Sequence, residues 1–491
     1  MVLARVAFLI GTILGWFGLA LLVPAVVAMF DANRTEFIAF VVSAAVSTGI
    51  GLLLRWMGES PPDLRRPDAL AVVAFTYVAI ALAGALPYVL VGLSPIDALF
   101  ESMSGLTTTG GTALSDFALY GRGVHFWRAL SHWLGGIGVI TLFVAVLPKL
   151  AIGGRELFFA EASGPTDDAL TPQIRKTAAA LWRVYFAITA VAVVALLVAG
   201  LSPYDAIVHA FATVAAGGFS PHPQSVMGYH LPAVEWTLTF FMFLAGANFA
   251  LHYRALFTGS TKIFRDEELV AYAGIVALAS ATVTGLLVTK GGHSVADALR
   301  LATFQVVSVV TSTGFATADF ATWDDRSRLL LLGLMFMGGC AGSAAGGLKI
   351  VRVLLISRYA LQELRRTLHP RAMLPVKLSG RVVPEPVMRS VLVFFLFYLL
   401  AFVVCAAIVT AAEGDIAIGV TGAIASLANA GPGFGAIGPM GSYAGLTAVS
   451  KGVLIMAMWL GRLELMTAFV FLGPRVWHDV RWRSRPPAGV S

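Results

Sequence analysis

Residues 107–112 read TTTGGT, inside the longer run ALFESMSGLTTTGGTALSDF (98–117), and that run lies between two long apolar segments. Small hydroxyl-bearing residues and glycines with no charge beside them build neither a good hydrophobic core nor a good helix. They do build a turn whose backbone carbonyls stay exposed.

The surrounding chain is too apolar for a soluble domain. Of its 491 residues 58% are hydrophobic and 12% charged, and the mean hydropathy is +0.83. These values describe a polytopic membrane protein. A span needs roughly 20 apolar residues, and stretches near that length lie at 6–30, 37–54, 69–93, 129–148, 184–201, 236–251, 269–289, 329–348, 391–412 and 452–473. Ten spans are therefore expected. The first is too long and continuous for the apolar core of a signal peptide, and reads as a membrane helix.

The net charge of +7 does not point to nucleic acid. With the N-terminus inside and the sides alternating, the inner termini and loops hold 25 of the 34 Lys and Arg: Arg5 and those within 55–66, 149–183, 254–265, 349–389 and 475–485. That asymmetry predicts both termini in the cytoplasm. Cys340 and Cys405 both fall in apolar spans, so no disulfide framework is implied. No Walker, Rossmann, HExxH or nucleophile-elbow pattern occurs, and His132, His209 and His252 are scattered singly as core or interface histidines would be. An enzyme would need paired acid/base or metal groups on facing helices, and none stands out.

The TTTGGT turn recurs. DAIVHAFATVAAGGF from Asp205, DALRLATFQVVSVVTSTGF from Asp297 and TGAIASLANAGPGF from Thr421 repeat the order of short helix and glycine turn begun by DALFESMSGLTTTGG from Asp97. The turns close at Gly110, Gly218, Gly314 and Gly431, spaced 108, 96 and 117 residues apart. A period of about a hundred residues predicts one structural unit used four times. Each unit reads as helix, short pore helix, turn, helix. Irregular backbone at membrane depth needs cover from protein or a water-filled path, and four turns about one axis provide it by lining a pore. The expected cation site comprises Thr107, Thr108, Thr109 and Gly110; Ala215, Ala216, Gly217 and Gly218; Thr311, Ser312, Thr313 and Gly314; and Ala428, Asn429, Ala430 and Gly431. Carbonyls there replace a monovalent cation's hydration shell, and the hydroxyls fix the turns. A secondary transporter, coupling sodium or potassium entry to a proton or sodium gradient, is the alternative. It would be expected to show two inverted repeats rather than four parallel ones.

The whole pattern resembles the TrkH branch of the TrkH/KtrB/HKT superfamily of cation transporters. Beyond the turns, HWLGGIGVITLFVAVLP (132–148), GGCAGSAAGGLKIVR (338–352), LANAGPGFGAIGP (427–439) and LGRLELMTAFVFLGP (460–474) are similar to its signatures. The resemblance implies an all-α membrane protein with four pseudo-symmetric repeats around one pore, after two extra N-terminal helices. The division would be 1–60 for those helices, then repeats at 61–175, 176–262, 263–385 and 386–474 and a cytoplasmic tail at 475–491. It further implies potassium as the transported ion, no cofactor bound by this chain, a homodimer in the cell inner membrane, and a cytosolic TrkA-like nucleotide-binding regulatory partner. One departure is VAAGGF in the second turn, where Ala215 and Ala216 stand where family members often carry Ser-Thr. If carbonyls coordinate, the change is mild; if hydroxyls matter, it bears on potassium over sodium selectivity.

Two features lie below the turns. Gly338, Gly342 and Gly346 at four-residue spacing suit a small-residue helix face. With Gly339, Ser343 and Gly347 they also suit a mid-membrane break, which the resemblance identifies as an intramembrane gating loop. Arg462 is the one cation deep in the last apolar span. It is expected either to pair with Glu464 or Glu101 or, as the resemblance implies, to stand on the ion path as an electrostatic barrier. Glu464, two residues on, does not share its helix face. Glu101 reads either as a carboxylate in the N-terminal turn of its helix, satisfied by the dipole, or as a direct contact for the ion, and is left off the expected cation site. The nine cations of 349–389 fit either positive-inside topology or a docking surface for a cytosolic partner.

Overall fold

The computed structural model describes residues 2–60, 66–145, 170–258, 265–369 and 374–465. The end of the last expected span, Lys149 and Arg155 of the 149–183 cations, and the tail lie outside them. The described chain is helical apart from one two-stranded hairpin, β1 (Lys377–Leu378) paired antiparallel with β2 (Arg381–Val382). In chain order the helices are α1 (Leu3–Ala20), α2 (Leu22–Phe30), α3 (Arg34–Met57), α4 (Arg66–Leu90), α5 (Pro95–Leu106) and α6 (Arg122–Ala145). Then come α7 (Leu170–Val198), α8 (Pro203–Val214), α9 (Pro232–Ala245), α10 (Phe249–Thr258), α11 (Glu267–Gly291) and α12 (Val295–Val310). The chain continues through α13 (Asp325–Met337), α14 (Ile350–Leu368), α15 (Glu385–Glu413), α16 (Ile416–Leu427) and α17 (Ala448–Arg462).

Among the described residues, six stretches are long and apolar enough to cross a membrane: α1–α2 together, α3, 68–90 of α4, 176–198 of α7, α11 and α15. Their outward faces carry large apolar side chains such as Trp16, Phe30, Leu82, Val198, Leu278 and Leu396, the surface that lipid solvates. Two expected spans are interrupted. The 236–251 stretch is a bent pair, α9 and α10 meeting at 101°. The 329–348 stretch is helical only to Met337, and 338–349 is irregular. Both breaks fall at glycines, Gly246 and Gly338, and the two mend one another. The amide of Cys340 donates to the Gly246 carbonyl at 2.8 Å, that of Ala344 to Ala245 at 3.3 Å, and that of Phe249 to Gly342 at 3.1 Å. Backbone groups freed at one break are satisfied at the other, as a low-dielectric site requires.

The order long helix, short helix, turn, long helix occurs four times: α4–α5–α6, α7–α8–α9, α11–α12–α13 and α15–α16–α17. In each, the short helix packs back along the long helix before it. The second long helix then packs on the next unit's short helix: α6 on α8, α9 on α12, α13 on α16, and α17 on α5. The last contact closes a ring.

The Asp-Ala openings lie in the first turn of Ser-capped helices. Ser94, Ser202 and Ser294 are N-caps, each accepting from the amide of the Asp three residues on, while its hydroxyl donates back to that Asp carboxylate at 2.6–2.7 Å. The cap fixes where each short helix starts. In α16, Asp415 is itself the N-cap. Glu101 is therefore not a first-turn carboxylate; Asp97 holds that place, and Glu101 lies deeper in α5.

Candidate functional site

All four short helices end in the same way. The C-cap residues are Thr107, Ala215, Thr311 and Ala428, and the next residue is left-handed: Thr108 (φ 51°), Ala216 (55°), Ser312 (52°) and Asn429 (52°). The amide after that bonds back to the carbonyl five residues earlier, Thr109 to Ser104, Gly217 to Ala212, Thr313 to Ser308 and Ala430 to Ala425, at 2.8–2.9 Å. This is the Schellman closure, which consumes the turn's amides and leaves its carbonyls free. Gly110, Gly218, Gly314 and Gly431 follow with φ of 79–88°, a region in which a side chain is strained. Ala216 adopts the same backbone as Thr108 and Ser312, so the absence of hydroxyls from the second turn leaves its main chain unchanged.

The turns meet in a ring. A methyl carbon placed on Gly110 would strike the carbonyl oxygen of Gly217, and one on Gly218 that of Thr313. One on Gly314 would lie 2.6 Å from that of Ala430, and one on Gly431 2.6 Å from that of Thr109. Each turn touches its successor and the fourth touches the first. The four oxygens, of Thr109, Gly217, Thr313 and Ala430, occupy one register position, and none accepts a backbone amide of the described residues. The C-terminal, partially negative ends of the short helices face the same place. Carbonyl dipoles without a carboxylate suit a monovalent cation shed of its water. Above the ring, Gly314 and the segments following the first, second and fourth turns line a cavity of about 60 Å³ that includes Thr112, Phe219, Pro432 and Tyr443.

Side chains brace the turns differently. Thr107 and Thr109 pair their hydroxyls at 2.8 Å, and Thr311 and Thr313 theirs at 2.7 Å. The second and fourth turns have Ala215 with Gly217 and Ala428 with Ala430 at these positions, so hydroxyl pairs sit on opposite turns of the ring. Asn429 Nδ2 donates to Thr109 Oγ1 and to the Met458 carbonyl, both at 3.0 Å, tying turn to turn and to α17.

The segment 338–349 lies directly against the third and fourth turns. The Gly346 amide donates to Ser312 Oγ at 2.6 Å, and a methyl carbon on Gly346 would collide with the Ala428 carbonyl. Gly338, Gly342, Gly347 and Lys349 all have left-handed φ of 72–76°, and the Gly339 carbonyl accepts from the Ile350 amide at 3.0 Å. Ser343 Oγ donates to the Cys340 carbonyl at 2.5 Å. The helical face expected from four-residue glycine spacing is absent, because Gly338, Gly342 and Gly347 carry a backbone no helix contains.

Arg462, 4% exposed at the end of α17, donates to the Ala344 carbonyl at 3.0 Å and to the Gly135 carbonyl of α6 at 3.3 Å. Neither expected carboxylate is its partner: Glu464 pairs with Arg352 and Glu101 with Arg128. Lys349, read from sequence as an inner-loop cation, is 4% exposed and its ammonium reaches the Ala345 carbonyl. Two buried cations therefore hold consecutive carbonyls of the segment under the turns.

Several supporting residues escape sequence reasoning. Arg128 Nε meets Glu101 at 2.7 Å with both side chains buried, and its Nη1 donates to the Ser220 carbonyl at 2.9 Å. Glu101 also accepts the Ala113 amide at 2.7 Å, so one buried pair joins the first unit to the second. Removing one partner of such a pair strands a charge and costs about 3–5 kcal/mol. His132 accepts the Phe219 amide at 3.3 Å on Nε2 and, with the proton on Nδ1, donates to the Gly105 carbonyl at 2.8 Å. Tyr443 donates to the Gly431 carbonyl at 2.7 Å. Their partners lie up to 92 residues away, and no local pattern announces them.

The family described as TrkH, cation transport protein, matches residues 35–478. The chain is 35% identical over 487 residues to the Trk system potassium uptake protein TrkH of Halomonas elongata, covering 97% of this chain and 100% of that protein. To the protein of the same description from Escherichia coli K12 it is 35% identical, covering 96% and 98%. The crystal structure of the potassium transporter TrkH from Vibrio parahaemolyticus superposes with a TM-score of 0.90 at 34% identity, covering 97% of this chain and 100% of that one. A ring of four equivalent turns within four equivalent units, matched over nearly the whole length in sequence and in structure, is carried by a multi-pass membrane protein that belongs to the TrkH family of cation transport proteins, transporters rather than enzymes.

Proposed function

We propose that this protein takes up potassium across the bacterial inner membrane through a channel-like pore. The ring of turns closing at Gly110, Gly218, Gly314 and Gly431 is its selectivity filter, and 338–349 is its gate. The observation that carries this reading is the cyclic contact of equivalent carbonyls, Thr109, Gly217, Thr313 and Ala430. The relatives' description as potassium uptake proteins supplies the ion. Four units running in the same direction favour a pore over the two inverted repeats of a coupled transporter.

In this reading the units divide at 61–175, 176–262, 263–385 and 386–474, both termini are cytoplasmic, and Arg462 opposes a passing cation by charge. The chain acts as a homodimer under a cytosolic TrkA-like nucleotide-binding subunit, for which the cation-rich face around α14 is the docking surface. Tracer uptake into proteoliposomes tests the central part. Uptake of a potassium tracer should be competed by unlabelled potassium and little by sodium, and equal competition by the two would reject the filter.

A further inference from the structure

Glu268, the second residue of α11, is 7% exposed. Its Oε1 accepts the Ala341 amide at 2.7 Å and the Val351 amide at 3.0 Å. One oxygen thus holds the irregular segment near its start and again where α14 resumes the helix. The carboxylate borders a cavity of about 190 Å³ lined also by Asn248, Asp266, Leu378 and Arg381. Beside it, Val376, Leu378 and Val383 of the hairpin region form a small apolar cluster with Ala341, Val351 and Leu355. Arg358 of α14 fastens this arrangement, donating to the Lys377 carbonyl at 2.5 Å and pairing with Glu267 at 2.8 Å. Adjacent carboxylates on α11 therefore hold the hairpin's tether and the glycine segment.

The segment has little intrinsic reason to keep its shape. Glycine backbones are the most permissive in the chain, so the observed path is imposed by neighbours. Arg462 and Lys349 act on carbonyls 344 and 345 from the side of the turns, and Ser312 on the Gly346 amide. Glu268 acts on the amides of Ala341 and Val351. Without its carboxylate the Ala341 and Val351 amides lose their acceptor, and a buried donor left unmatched disfavours the conformation that buries it.

We propose that Glu268 is a positioning residue of the restriction below the turns, its carboxylate and the hairpin packed on Ala341 together holding 338–349 in the obstructing path. This rests on reading that segment as a restriction. The test is basal tracer flux through the purified full chain in proteoliposomes, beside a reference variant shortened within 338–347. Glu268→Ala should raise basal flux about tenfold, the scale set by losing a charge-assisted acceptor for two amides. Glu268→Gln, whose amide oxygen can accept from both, should stay near the original. Arg358→Ala, which frees the hairpin but keeps Glu268, should raise flux less, and it decides the matter if Glu268→Ala does not fold. A leaky shortened variant with both alanine variants folded and silent overturns the proposal and leaves the restriction standing. Glu268→Gln as leaky as Glu268→Ala also overturns it. If the shortened variant itself is not leaky, the restriction falls and the proposal with it.

Discussion

Gly110 and Gly314 show at residue scale why the ring tolerates so little. Each combines a left-handed φ, 84° and 82°, with a neighbouring carbonyl where a Cβ would go. A side chain there is strained and pushes on an oxygen of the ring. Gly110→Ser or Gly314→Ser should shift the potassium-to-sodium permeability ratio by about tenfold, equivalent to only ~1.4 kcal/mol of differential coordination. Unchanged ratios in folded, membrane-inserted variants at both positions would remove the ring from the site. Arg462 sits differently. It stays charged whatever its surroundings, and its two carbonyl partners leave it without a neutralising carboxylate among the described side chains bonded to it. In the proposed pore, a cation passing beneath the turns would meet that charge where the dielectric is low. Arg462→Gln should increase cation flux several-fold with ion preference roughly kept, read as tracer uptake in the presence and absence of competing sodium. Unchanged flux from folded protein would make Arg462 a structural clamp between α6 and the 338–349 segment.

At the scale of elements, the short helices and their turns were legible because their code is local. An Asp-Ala opening in three of the four and a closing glycine where φ must be positive are read within about twenty residues. The break at Gly338 was legible for the same reason, though two foldings of it stayed open until Gly338, Gly342 and Gly347 proved left-handed. The bend between α9 and α10 was not, because Gly246-Ala247-Asn248 looks like ordinary helix until the second break pairs with it from nearly a hundred residues away. Long-range partners, Arg128 with Glu101 and Ser220 or His132 with Gly105 and Phe219, have no local signature at all. The mutual repair of the two breaks gives the element-scale expectation. Removing several residues within 338–347 should raise basal cation flux without loss of expression, monitored by tracer uptake and by the amount of protein in the membrane. Equal or lower flux from well-folded protein would return the segment to a packing role.

For the whole molecule, the decisive feature is closure. Four units linked α6 to α8, α9 to α12, α13 to α16 and α17 to α5 put equivalent atoms around one axis, although the turn sequences TTTG, AAGG, TSTG and ANAG share only their last residue. Pseudo-symmetry of backbone under divergent side chains is what coordination by carbonyls requires, since the main chain alone must repeat. The direct measurement is the reversal potential of current through the purified protein in a planar bilayer, with potassium, sodium and proton gradients imposed separately. Reversal should follow the potassium gradient and stay put when the sodium or proton gradient alone is changed. A reversal potential that moves with the proton or sodium gradient would contradict a passive potassium pore and favour coupled transport.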